Sequence, residues 1–118
     1  MSEISIQHLN KTYDGATPVK ALEGIDLKVT QGEFVALLGP SGCGKSTLLN
    51  LIAGFEFPTS GQLTVDGQPV LAPGPSRGVV FQEAALFPWL TVWENVVFGP
   101  KVQGIAKADF EQRAQEML

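Results

Sequence analysis

Nine consecutive residues, Gly39-Pro40-Ser41-Gly42-Cys43-Gly44-Lys45-Ser46-Thr47, match the spacing G-x-x-x-x-G-K-[ST] in full. Glycines in such a run let the chain adopt dihedral angles closed to other residues and bring backbone N–H groups close to an anion. The run sits between Phe34-Val35-Ala36-Leu37-Leu38, which is apolar throughout, and a segment from Lys45 to Ala53 in which Leu48, Leu49, Leu51 and Ile52 make a wide apolar face. The first reads as a strand covered on both faces, the second as a helix stopped by Gly54. A glycine loop that leaves a buried strand and opens a helix is the setting in which this motif cradles phosphates, aided by the positive end of the helix dipole.

The chemistry expected of the loop follows from its residue types. Lys45 carries a full charge toward the β and γ phosphates of a nucleotide, the Ser46 hydroxyl is placed to ligate the Mg²⁺ that bridges them, and Thr47 is placed to hydrogen-bond the α-phosphate. A nucleoside triphosphate and Mg²⁺ are therefore the expected ligands, and ATP is the triphosphate that the family resemblance below implies. Cys43, the only cysteine of the chain, fills space in the loop and cannot form an internal disulfide.

Elsewhere the pattern is that of a mixed α/β chain. Ile4 to Leu9 and Ile25 to Val29 alternate apolar and polar residues and predict strands with one solvated face, joined through a loop at Asp14 to Pro18. His8 then reads as a surface residue. Gln62 to Val65, Asp66-Gly67 and Gln68 to Val70 predict a hairpin, because Asp-Gly supplies the positive φ angles of a tight turn. Gly78 to Gln82 reads as another short buried strand. Thr91 and Glu94 have capping-box spacing, predicting a helix that starts at Thr91 and ends near Gly99-Pro100. Ala108 to Leu118 reads as a helix that reaches the chain end without a stop signal, so a longer protein, truncated here, is expected.

Composition narrows the function classes. Among 118 residues, 12 are acidic and 8 basic, and the basic ones are scattered singly, so nucleic-acid binding by phosphate neutralisation is not expected. No apolar run approaches the ~18 residues of a membrane span and no secretory pattern opens the chain. A cytoplasmic protein that meets the membrane only through a partner is expected.

With the loop in place, the whole chain resembles the ATP-binding subunits of ABC transporters. The resemblance implies an α/β P-loop NTPase core with an antiparallel β edge subdomain, residues 1–118 being the N-terminal part of that domain, broken off where the helical subdomain starts. It implies that Tyr13, ahead of the loop, stacks on adenine, and that Gln82, in Val80-Phe81-Gln82-Glu83, is the Q-loop glutamine that reaches Mg²⁺ and the attacking water. Gly78 to Glu83, Leu86 to Val92, Glu94-Asn95-Val96 and Pro73-Gly74-Pro75 are most similar to importers of nitrate, sulfonate and taurine, although Ala84 departs from the proline common in that subgroup. Phe87 and Trp89, with Trp93, are expected to face a transmembrane permease subunit. A second ATP-binding subunit is also implied, since members of this family hydrolyse ATP between two subunits. The signature motif, the Walker B strand with its carboxylates and the switch histidine would lie beyond Leu118. Two other readings remain open from the residues: a P-loop kinase or GTPase, against which Tyr13 argues, and an incomplete P-loop protein that binds ATP without hydrolysis.

Overall fold

The computed structural model describes residues 2–118, which form two units. The first ends at Val79 and the second runs Val80–Leu118.

The first unit is built on a four-stranded antiparallel sheet in the order β2-β1-β3-β4, with β1 at Ile4–Tyr13, β2 at Val19–Val29, β3 at Ser60–Val65 and β4 at Gln68–Pro69. Its register sets Ile6 opposite Leu27 on one side and Leu63 on the other. Simple alternation along β1 would send Ile4, Ile6 and His8 to one face. An irregularity between Ile6 and Leu9, with His8 at φ 48°, shifts the phase, so that Leu9 is fully buried and His8 stays exposed. This is what a bulge does to a strand. The exposed His8 offers its backbone N–H to Asp26 Oδ1 at 2.9 Å.

Helix α1, Lys45–Ala53, has the expected bounds and closes at Gly54. Its Leu48 and Leu51 are buried against Ile6, Leu9, Leu22 and Leu63 of the sheet. Fully burying one such leucine is worth about 1.5–3 kcal/mol, enough to fix the azimuth of the helix. Its apolar face is narrower than the sequence implied, because Leu49 points to solvent. The hairpin between β3 and β4 turns at Asp66 and Gly67, at φ 52° and 76°, as their residue types predict.

Two expected strands are corrected. Neither Phe34 to Leu38 nor Gly78 to Gln82 forms a ladder among the described residues. Phe34, Leu38 and Val80 are 95%, 92% and 99% exposed. An all-apolar strand needs neighbours on both edges and cover on both faces, and residues 2–118 supply neither. Leu37 alone of the first run packs on the core.

In the second unit, residues 80–91 have no regular structure and lead into α2, Val92–Val102, and α3, Lys107–Glu116. Val97, Phe110 and Ala114 form its buried core, with Trp93 and Val96 packed against it. The capping box is complete: Thr91 Oγ1 accepts from the Glu94 N–H at 3.1 Å and Glu94 Oε2 accepts from the Thr91 N–H at 2.7 Å. The expected end at Gly99-Pro100 is also corrected. Pro100 lies inside α2, where its ring loses a single helical hydrogen bond. The helix runs on to Val102, and Gly104 just beyond its cap, at φ 74°, lets the Gly104 and Ile105 N–H groups turn back to the Lys101 and Pro100 carbonyls.

Candidate nucleotide-binding site

The glycine loop enters α1 through Gly44, which takes φ 96°. A side chain there is excluded twice over, because a Cβ would lie 2.8 Å from the Ala21 carbonyl oxygen and from Leu22 Cδ2, in addition to the left-handed backbone. This close approach lets β2 abut the helix start. The first helical hydrogen bond runs from the Leu48 N–H to the Gly44 carbonyl at 3.0 Å. The N–H groups of Lys45, Ser46 and Thr47 thus have no partner within the helix and are available to an anion.

Lys45 reaches back over the loop it follows. Its ammonium donates to the carbonyls of Gly39 and Pro40, the second at 3.0 Å, and lies 3.6 Å from Cys43 Sγ. Gly39 is bare where a Cβ would meet Cys43 Sγ at 2.7 Å, so the loop is as tight as its sequence implies. The turn is closed by the Cys43 N–H on the Pro40 carbonyl at 3.3 Å. Ser41, Gly42 and Ser46 are exposed. Positive helix end, uncommitted N–H groups, one ammonium and an exposed hydroxyl make a donor set suited to a triphosphate with its divalent cation.

Tyr13 ends β1 beside this loop. Its hydroxyl donates to Glu56 Oε2 at 2.7 Å and lies 3.5 Å from Thr47 Oγ1. The Thr47 hydrogen bond, the largest single influence on the phenol, lowers its pKa; the Glu56 hydrogen bond, partial desolvation and the Glu56 charge outweigh it and push the phenol above its ordinary value. Lys11 Nζ stands 5.1 Å from the centre of the Tyr13 ring and donates to the Phe57 carbonyl at 2.8 Å. Glu56 and Lys11 carry no sequence signal of a role, since the contacts join residues more than forty positions apart.

The remaining sequence-predicted residues belong to the second unit. Gln82 is exposed in its irregular segment. Phe87 stacks obliquely on Trp89 at 5.3 Å and on Phe98 at 4.6 Å between ring centres, and Trp89 is 76% exposed. Trp93 packs on the core of its unit. Asn95, which the sequence marked only by resemblance, clamps this segment: Oδ1 accepts from the Phe87 N–H at 2.9 Å, while Nδ2 faces the carbonyls of Phe87, Leu90 and Thr91 at 3.2, 3.3 and 2.8 Å. An open groove of about 310 Å³ lies here, lined by Leu86, Phe87, Pro88, Leu90 and Val96.

The model of the ABC transporter family matches residues 22–118, a span that takes in the glycine loop and Gln82. The chain belongs to the ABC transporter family. The taurine import ATP-binding protein TauB of Burkholderia pseudomallei is 49% identical over 119 aligned positions, which cover 100% of this chain and 46% of that protein. The bicarbonate transport ATP-binding protein CmpC of Synechococcus elongatus is 55% identical over 95, covering 79% of this chain and 14% of its own length. Among solved structures, a dimeric post-hydrolysis state of the ATP-binding cassette MJ0796 bound to ADP and phosphate superposes with a TM-score of 0.81 at 32% identity, over 96% of this chain and 54% of the other. The α/β fold class expected from the family resemblance is therefore the observed one. The chain spans about half the length of the TauB relatives it matches. Tyr13 precedes the family match, and its pairing with the loop comes from the structure.

Proposed function

We propose that the chain is the nucleotide-holding part of an ATP-driven importer subunit and that ATP with Mg²⁺ binds at the Gly39–Thr47 loop. The observation that carries this reading is the union, in one unit, of the Gly44-opened helix start with the Lys45 ammonium above the loop. In this reading the backbone from Gly39 through Pro40, Ser41, Gly42, Cys43 and Gly44 to Thr47 holds the phosphates, and Lys45 exchanges its loop carbonyls for the β and γ oxygens. Ser46 would hold the divalent cation, which would supply neutralisation of phosphate charge, and the contact of Gln82 with cation and water is what the family resemblance implies for that residue. Tyr13 stacks on the adenine. Phe87 and Trp89 are the contact with a transmembrane permease, because exposed aromatics beside an apolar groove favour an interface. A second ATP-binding subunit completes the site, as the dimeric relatives suggest. The protein then works at the inner face of the membrane; no helix among the described residues is long and apolar enough to cross it. Similarity to TauB favours a taurine- or sulfonate-type importer.

The test is titration with a fluorescent ATP analogue of the 118-residue chain and its Lys45→Ala variant. Charge-assisted hydrogen bonds are worth about 1.5–3 kcal/mol, so affinity falls roughly tenfold to 150-fold. Equal affinity in two folded proteins refutes the assignment.

A further inference from the structure

We propose that Glu56 is a positioning residue for the nucleotide: its carboxylate holds the Tyr13 hydroxyl and thereby fixes the plane in which the ring meets a base. The inference rests on the reading of Tyr13 as the base-stacking ring and adds the residue that orients it.

Three observations carry it. First, the contact is short and directional, 2.7 Å from Tyr13 Oη to Glu56 Oε2, between groups that are both half-buried. A phenol has one proton and an ionised carboxylate can only accept, so that proton lies on the Glu56 bond. With that proton committed, the Thr47 hydroxyl, at 3.5 Å, can meet the phenol oxygen only as a donor, in keeping with its lowering effect on the phenol pKa. Second, Glu56 is itself fixed. It follows Gly54 on the turn after α1, where the N–H groups of Gly54, Phe55 and Glu56 all point at the Asn50 carbonyl, at 3.1, 3.0 and 3.4 Å. Third, the segment that follows this turn is tied to β1 at the three residues just ahead of the ring. Lys11 Nζ bonds the Phe57 carbonyl at 2.8 Å, the Thr12 N–H bonds Thr59 Oγ1 at 2.9 Å and the Thr59 N–H bonds the Asn10 carbonyl at 2.9 Å.

The consequence is preorganisation. An aromatic side chain at a strand end swings about two torsions, and a ligand that stacks on it must first stop that motion. Here the hydroxyl is already anchored to the turn that ends the phosphate-loop helix, so ring and loop hold a fixed relation before any ligand arrives. Losing the anchor leaves the ring present but mobile. Removal of one immobilised side chain's worth of ordering changes affinity by roughly twofold to tenfold.

The experiment compares Glu56→Ala, Glu56→Gln, Tyr13→Phe, Tyr13→Ala and the double variant Glu56→Ala/Tyr13→Phe in the 118-residue chain, each checked for an unchanged circular dichroism spectrum. ATP and inorganic triphosphate are titrated separately. Expected is a roughly twofold to tenfold loss of ATP affinity for Glu56→Ala and for Tyr13→Phe, no further loss in the double variant, retention in Glu56→Gln, whose amide oxygen still accepts, and unchanged triphosphate affinity throughout. Tyr13 is the only tyrosine, so tyrosinate absorbance reads its ionisation directly and its midpoint falls in Glu56→Ala. If Tyr13→Ala weakens ATP selectively while Glu56→Ala binds like the parent, Glu56 has no positioning role and the stacking assignment stands. Equal loss of ATP and triphosphate in Tyr13→Ala overturns the stacking assignment, and the inference with it. A tyrosinate midpoint that does not move in Glu56→Ala overturns the inference without reference to any ligand.

Discussion

Replacing Asn95 with alanine removes an acceptor and two donors from the segment that carries Phe87 and Trp89. The Phe87 N–H loses its acceptor at 2.9 Å, and the carbonyls of Phe87 and Leu90 lose donors at 3.2 and 3.3 Å. The 2.8 Å contact with the Thr91 carbonyl is exposed, so water replaces it. Two Nδ2 protons serve three carbonyls, and the part-buried set therefore amounts to about two net hydrogen bonds, each worth about 0.5–1.5 kcal/mol. The segment should open more easily by roughly 1–3 kcal/mol, or about fivefold to 150-fold in population. The helix moves the other way. Asn95 lies within α2, and alanine is the better helix former by up to ~0.7 kcal/mol, so α2 itself gains slightly. Amide hydrogen exchange separates the two effects: exchange at Phe87 accelerates by the factor above, while exchange at Val97 slows or stays constant. An unchanged Phe87 amide, or an equal acceleration across α2, would refute the account of Asn95 as a local clamp.

Gly44→Ala forces a left-handed Cβ to within 2.8 Å of the Ala21 carbonyl, a strain of roughly 1–3 kcal/mol before any relief; thermal unfolding should show a lowered midpoint and nucleotide titration a weakened site, and a variant as stable and as tight as the parent would contradict the geometry of the helix start. Thr91→Ala removes the cap of α2 and should destabilise the second unit by about 0.5–2 kcal/mol in chemical denaturation, most of it absent if serine replaces threonine instead. Phosphate release by the 118-residue chain at saturating Mg-ATP should not exceed background, because the loop supplies binding of the ground state while none of the carboxylates placed among the described residues is set to meet the transition state. Turnover that vanishes in Lys45→Ala would show that the chain holds a complete catalytic site.

Local chemistry was legible in the amino-acid order. The helix from Lys45 to Ala53, the Asp66-Gly67 turn and the Thr91/Glu94 box each depend on contacts within a few residues, and each formed with the residues its pattern named. The glycine loop is of the same kind, since the dihedral angle at Gly44 and the back-reach of Lys45 to Pro40 are set by a nine-residue stretch. Long-range relations were decided only by the tertiary structure. Whether Phe34 to Leu38 is a strand depends on neighbours that hydropathy does not name, and among residues 2–118 there are none. The phase change that buries Leu9 in place of His8 arises from register against Ile25 and Ser60, not from alternation along β1. Glu56 comes to Tyr13 across 43 positions of sequence because the sheet places the end of β1 beside the turn that closes α1. A periodic pattern records which face of an element is apolar; which distant residue meets that face is fixed by packing, where many weak contacts are satisfied at once.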